Sequence, residues 1–153
     1  MSFNRREWMR LADPAASEAF GAQLAALARP GDAITLSGPL GAGKTSIARG
    51  LLAALGLQGE APSPSFAIVQ PYDPPEVRLP VLHVDLYRLD DPTEFDELGL
   101  DEARQDSLLL VEWPEHGGDW RGALALTLAI EPGGARRLTA AVPPSWEARW
   151  RSI

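Results

Sequence analysis

Residues 38–45 read Gly-Pro-Leu-Gly-Ala-Gly-Lys-Thr, and no other stretch limits so tightly what the chain can be. The spacing is G-x-x-x-x-G-K-[ST], a turn that gathers many donors around an anion. Glycines at 41 and 43 let main-chain N–H groups approach an oxygen closely, and a helix starting at once after the turn adds positive potential. The flanks meet that demand. Ala33 to Leu36 is an apolar run of strand length, and Ile47, Leu51 and Leu55 recur at helical spacing until Gly56. Strand, glycine loop and helix follow in the order that phosphate binding requires.

On this reading Gly38, Leu40, Gly41, Ala42, Gly43, Lys44, Thr45 and Ser46 surround the phosphates of a nucleotide, Lys44 reaches the β- and γ-phosphates, and the Thr45 hydroxyl is offered to Mg²⁺. Of fourteen basic residues only Lys44 is a lysine, so the sole ammonium side chain stands inside the motif. A guanine-specific site would need an N-K-x-D type motif. There is no second lysine and the only asparagine is Asn4, so ATP is the expected nucleotide.

A nucleotide site also needs a carboxylate for the metal and a group that orients water, both at C-terminal strand ends beside the loop. Val81 to Leu86 and Leu108 to Val111 are apolar runs that deliver Asp85 and Glu112 at such places. A buried carboxylate is costly without a cation. Magnesium answers that cost, and an ion pair with Arg88 or another arginine is the competing reading. His83 shares a strand face with Asp85 and Tyr87 and reads as a packing residue.

Elsewhere Ser17 to Ala28 reads as an amphipathic helix with Ser17 as N-cap, stopped by Pro30-Gly31. Phe66 to Gln70 reads as a strand before a proline-rich, exposed loop containing Pro71, Pro74, Pro75 and Pro80. Asp91-Pro92-Thr93-Glu94 is a helix-capping pattern, and the acidic stretch after it reads as a solvated face. Leu124 to Ile130 and Leu138 to Val142 alternate around Glu131-Pro132-Gly133-Gly134 as an antiparallel hairpin. Ser145 to Trp150 reads as a short helix docking Trp146 and Trp150 on the core.

Residues 1–153 suit a single α/β domain, a P-loop three-layer αβα sandwich with a mainly parallel sheet and a C-terminal antiparallel hairpin. A net charge of −7 disfavours stable nucleic-acid binding by this chain alone. The absence of cysteine excludes thiolate metal sites, and two histidines disfavour a histidine-rich zinc site. No run approaches the ~20 apolar residues of a membrane span, nor does the N-terminus resemble a secretory signal. A soluble cytoplasmic protein, monomeric when free, is the expectation.

Four motifs in one order resemble the TsaE family: the glycine loop, then Ser63-Pro64-Ser65-Phe66, then His83-Val84-Asp85-Leu86-Tyr87-Arg88-Leu89, then Glu112-Trp113-Pro114-Glu115. The resemblance covers the chain from about residue 11 to 142. The resemblance implies an ATPase of tRNA threonylcarbamoyladenosine biosynthesis that joins TsaD and TsaB, with tRNA reached only indirectly. It implies Glu112 as a magnesium ligand, Asp85 as important for hydrolysis and Ser63, Pro64 and Ser65 as a switch near the γ-phosphate. Ser65 stands where threonine is usual and Pro39 where an acidic residue is frequent. Trp113 reads equally as a nucleotide neighbour or a packing residue. Ser17 and Arg136 or Arg137 are candidates for the pocket wall, the arginines reading better as solvated.

Without an arginine finger announced by a local motif, hydrolysis by the chain alone should be feeble. The rival reading is a small-molecule P-loop kinase, which needs an acceptor pocket and usually an arginine-bearing lid. The acidic segment between Arg88 and Leu108 makes a poor lid of that kind.

Overall fold

A computed structural model describes residues 5–59, 61 and 69–153. Strand β1 (Arg5–Leu11) leads into helix α1 (Pro14–Leu27), then β2 (Ala33–Ser37) and α2 (Lys44–Ala54). After β3 (Val69–Tyr72) and β4 (Val81–Asp85) come the short helices α3 (Pro92–Glu97) and α4 (Leu100–Ala103). Strand β5 (Leu108–Glu112), the hairpin β6 (Leu124–Ile130) and β7 (Arg136–Val142), and α5 (Glu147–Trp150) complete the chain.

The seven strands form one sheet in the order β1-β7-β6-β2-β5-β4-β3. Its four central strands run parallel, β2 pairing with both β5 and β6 and β4 with β5. The antiparallel pairs lie toward the edges, including the expected hairpin. On one face Leu36, Leu110, Leu126 and Leu138 pack with Phe20, Leu24, Ile47, Leu51, Trp146 and Trp150. On the other Val84, Leu109 and Val111 pack with Leu100, Phe95 and Trp120. The three layers are therefore present over the parallel strands. Toward the antiparallel edge the outer face is uncovered, leaving Trp8 62% exposed beneath the Arg137 guanidinium, 4.5 Å from the ring centroid.

Local chemistry explains most element ends and corrects several expectations. Helix α1 begins at Pro14, not Ser17. Asp13 caps it by accepting from the Ala16 N–H at 2.8 Å, with proline at the first turn. Ser17 is instead buried one turn inside. Asp91 caps α3 in the expected way through the Thr93 N–H at 2.9 Å. Pro71 belongs to β3 rather than to a loop, which the ladder tolerates because β3 is an edge strand. Residues 66–68 of the strand expected there lie outside the described residues. Strand β1 was not foreseen. Among the described residues no helix is long and apolar enough to cross a membrane.

Helices α1 and α2 pack closely because each presents a glycine to the other. A Cβ on Gly21 would lie 2.1 Å from the Ile47 carbonyl oxygen, and one on Gly50 would lie 2.0 Å from that of Glu18. This contact sets α2, which follows the glycine loop, against one face of the sheet.

Candidate functional site

The carboxyl ends of β2, β4 and β5 lie side by side. Asp85 and Glu112 are direct register partners, and Glu112 is also the partner of Leu36 at the end of β2. A cavity of about 470 Å³ opens there, and its wall contains Leu40, Gly41, Ala42, Gly43, Lys44, Thr45, Ser46, Asp85 and Glu112. Residues from three separate sequence motifs therefore share one hollow. Gly38 is not on its wall but contributes its carbonyl to Lys44. Ser63, Pro64 and Ser65 lie outside the described residues.

Gly43 caps α2 in the left-handed region, with φ 102°, a conformation that strains any side-chain-bearing residue. No side chain caps this helix, so its first N–H groups remain open to an acceptor such as a phosphate oxygen. Lys44 is buried, and its ammonium donates to the carbonyls of Gly38 and Pro39, the latter at 3.1 Å. It also lies 4.1 Å from the centroid of the Trp113 ring. Burial pushes the Lys44 pKa down, while Glu112, Glu115 and Asp85 pull it back up.

The two carboxylates are held differently. Asp85 accepts the Tyr87 N–H at 2.9 Å, and burial raises its pKa above the usual carboxylate value despite that bond. Glu112 accepts from His83 Nε2 at 2.7 Å, both side chains being buried. His83 is therefore more than a packing residue: it fixes one oxygen of Glu112. Its Nδ1 is buried without a hydrogen-bond partner. Asp85, Glu112 and the hydroxyl-bearing Thr45 and Ser46 place side-chain oxygens on the cavity wall.

Sequence reasoning left Trp113 open and did not place Tyr87 or Arg88 on the wall, where both occur. Trp113 is the only non-glycine residue with positive φ among those described, at φ 60° and ψ 50°. Such a conformation costs on the order of 1–3 kcal/mol and tends to mark working sites. Here it turns the chain sharply after Glu112 and sets the indole over Lys44 and 4.8 Å from the Tyr87 ring. The position of Tyr87 and Arg88 was readable, since they stand two and three residues after Asp85 in the chain.

A smaller hollow of about 110 Å³ adjoins the loop and is lined by Asp13, Ser17, Gly41, Gly43, Ser46 and Arg136 among others. Ser17 and Arg136 thus border the loop. The expectation that both arginines are solvated holds for Arg137 and fails for Arg136, which donates to the Gly41, Ala42 and Gly134 carbonyls.

A family model described as "Threonylcarbamoyl adenosine biosynthesis protein TsaE" matches residues 11–138. A Streptomyces coelicolor protein named tRNA threonylcarbamoyladenosine biosynthesis protein TsaE is 45% identical over 62% of this chain and 65% of its own length. The Bacillus subtilis protein of the same name is 41% identical over 68% of this chain and 64% of its own. The match thus spans just under two thirds of either relative. The crystal structure of Bacillus subtilis YdiB superposes with a TM-score of 0.78 at 29% identity, covering 99% of this chain and 95% of that one.

Proposed function

The chain belongs to the TsaE family, and from that premise we propose that it is a weak, magnesium-dependent ATPase of tRNA threonylcarbamoyladenosine biosynthesis. In this reading it joins TsaD and TsaB and supports turnover of threonylcarbamoyl transfer to adenosine 37 of tRNAs reading ANN codons. It meets tRNA through those partners. The carrying observation is the convergence of Lys44, Thr45, Asp85 and Glu112 on one cavity beside the uncapped start of α2.

The donor set fits magnesium. Among the described residues there is no cluster of three or more carboxylate or imidazole groups that could cage a metal. Mg²⁺ asks for few protein oxygens and completes its shell with phosphate and water. Thr45 and Glu112 would hold it, with His83 fixing the Glu112 carboxylate. When bound, the ion neutralises charge on the β- and γ-phosphate oxygens. The chain's own residues do the rest: the main-chain N–H groups of Gly41 and of Gly43 to Ser46 cradle the phosphates, and Lys44 moves from its loop carbonyls to phosphate oxygens. Asp85 orients the attacking water, and the switch segment Ser63, Pro64 and Ser65 senses the γ-phosphate.

The kinase alternative gains nothing, because the segment that would form its lid carries exposed Glu94, Asp101 and Glu102. The deciding experiment measures ATP hydrolysis by the chain alone and with purified TsaD and TsaB. Slow turnover alone and faster turnover with both partners is the expected result. No hydrolysis in either case, or stimulation by a small-molecule phosphate acceptor instead, would overturn the proposal.

A further inference from the structure

Arg136, at the start of β7, donates from Nε to the Ala42 carbonyl at 3.1 Å and from Nη2 to the Gly41 carbonyl at 3.0 Å. Its third contact, from Nη1 to the Gly134 carbonyl, anchors the guanidinium to the turn of its own hairpin. One planar fork therefore ties the C-terminal hairpin to two consecutive peptides of the glycine loop. We infer that Arg136 is a positioning residue that holds the loop's peptide groups in the orientation a phosphate needs. The inference rests on the nucleotide-binding reading above.

Among the described residues the only cis peptide bond joins Pro74 to Pro75, so the loop peptides are trans. In a trans peptide the C=O and N–H point opposite ways. Drawing the Gly41 and Ala42 carbonyls toward Arg136 therefore turns the N–H groups of Ala42 and Gly43 away from it. The Ala42 N–H closes the turn onto the Pro39 carbonyl at 3.1 Å, and the Gly43 N–H is left for a ligand. Gly41 and Gly43 flank these peptides at φ 79° and 102°, and glycine on either side makes a peptide flip inexpensive. A flipped peptide would present an oxygen to an anion.

Two cations hold the loop: Lys44 takes the carbonyls of Gly38 and Pro39, and Arg136 those of Gly41 and Ala42. When Lys44 transfers to phosphate oxygens, Arg136 is the remaining side-chain clamp on these carbonyls. A lysine at this position cannot reproduce two bonds from one rigid plane.

The test is calorimetric titration with a non-hydrolysable ATP analogue and magnesium, alongside thermal unfolding without nucleotide. Arg136→Ala should weaken analogue binding about tenfold or more, Arg136→Lys should recover only part of the loss, and millimolar guanidinium chloride should restore binding to Arg136→Ala where equal sodium chloride does not. Arg137→Ala, whose guanidinium stacks on Trp8, should bind like wild type. Wild-type affinity in Arg136→Ala would overturn the inference while leaving the nucleotide site standing. So would a loss that guanidinium fails to relieve. Failure of the wild-type chain itself to bind the analogue would remove the nucleotide reading, and this inference with it.

Discussion

At the cavity wall Lys44 and Asp85 are each caught between burial, which favours the neutral form, and a small set of partners that favour the charge. Asp85 makes the outcome measurable. Burial is the largest influence on it and raises its pKa above the ordinary value of 3.8. The Tyr87 N–H, His83 and Lys44 act in the opposite sense, and Glu112 adds to the rise. A carboxyl whose folded-state pKa is raised holds its proton more tightly in the native chain than in the unfolded one. Its stabilising share is full below the unfolded value and is lost as pH rises through the folded value. Asp85→Asn, which keeps an acceptor for the Tyr87 N–H, should therefore gain stability relative to wild type above that folded-state pKa and not below about pH 4. Urea unfolding of both proteins without nucleotide or metal, from about pH 4 to pH 8, reads the difference directly. A gap that is flat, or that widens toward acid, would contradict this account of Asp85. At this scale Lys44, Asp85 and Glu112 were legible because motif spacing and apolar runs announce them. Arg136 was not, because its partners are backbone carbonyls 94 and 95 residues away. Trp113 was not, because nothing in a local run of residues marks a left-handed tryptophan.

At the level of elements, what could be read depended on whether the signal was local. The Asp-Pro cap of α3 and the alternation of β6 and β7 are local, and the structure contains both. The same Asp-Pro signature stands at Asp13-Pro14, yet Ser17 drew the assignment because the apolar spacing starts beyond it. In β1 a period-two pattern sets Met9 and Leu11 toward the core and Arg6, Trp8 and Arg10 outward, but three arginines in seven residues obscure a strand whose outer face is uncovered. The α1–α2 contact is a further case, since Gly21 and Gly50 look like weak helix residues until the partner backbone is seen. Gly50→Ala should gain up to ~1 kcal/mol in helix propensity, but its methyl would meet the Glu18 carbonyl oxygen at 2.0 Å. Backbone cannot yield as a flexible side chain does, so overpacking of about 1–3 kcal/mol wins. The variant should unfold at lower temperature than wild type, and a midpoint equal to or above wild type in a thermal melt would refute the close approach.

For the molecule as a whole, one continuous sheet carries the loop, the two carboxylates and the arginine that clamps the loop, so binding and folding should be linked. The loop and α2 follow β2, Asp85 and Glu112 end β4 and β5, and Arg136 begins β7. Strand order was the part of the fold that the chain's own order did not reveal, because β2 lies between β5 and β6, far from it in sequence. A ligand that grips all of these elements stabilises the sheet that unites them. With MgATP at a hundredfold excess over its dissociation constant, native-state binding adds about 2.7 kcal/mol. For a chain of this size that corresponds to a rise of roughly 5–10 °C in the unfolding midpoint. Loss of the charge-assisted contact in Lys44→Ala should weaken binding at least tenfold. At the same nucleotide concentration the gain then falls to about 1.4 kcal/mol or less, halving the shift. A single transition that moves with MgATP, by half as much or less in the variant, is the result expected of one cooperative domain built around this cavity. Two transitions, of which only one responds to nucleotide, would divide the chain where the sheet unites it, and an equal shift in both proteins would place the nucleotide elsewhere.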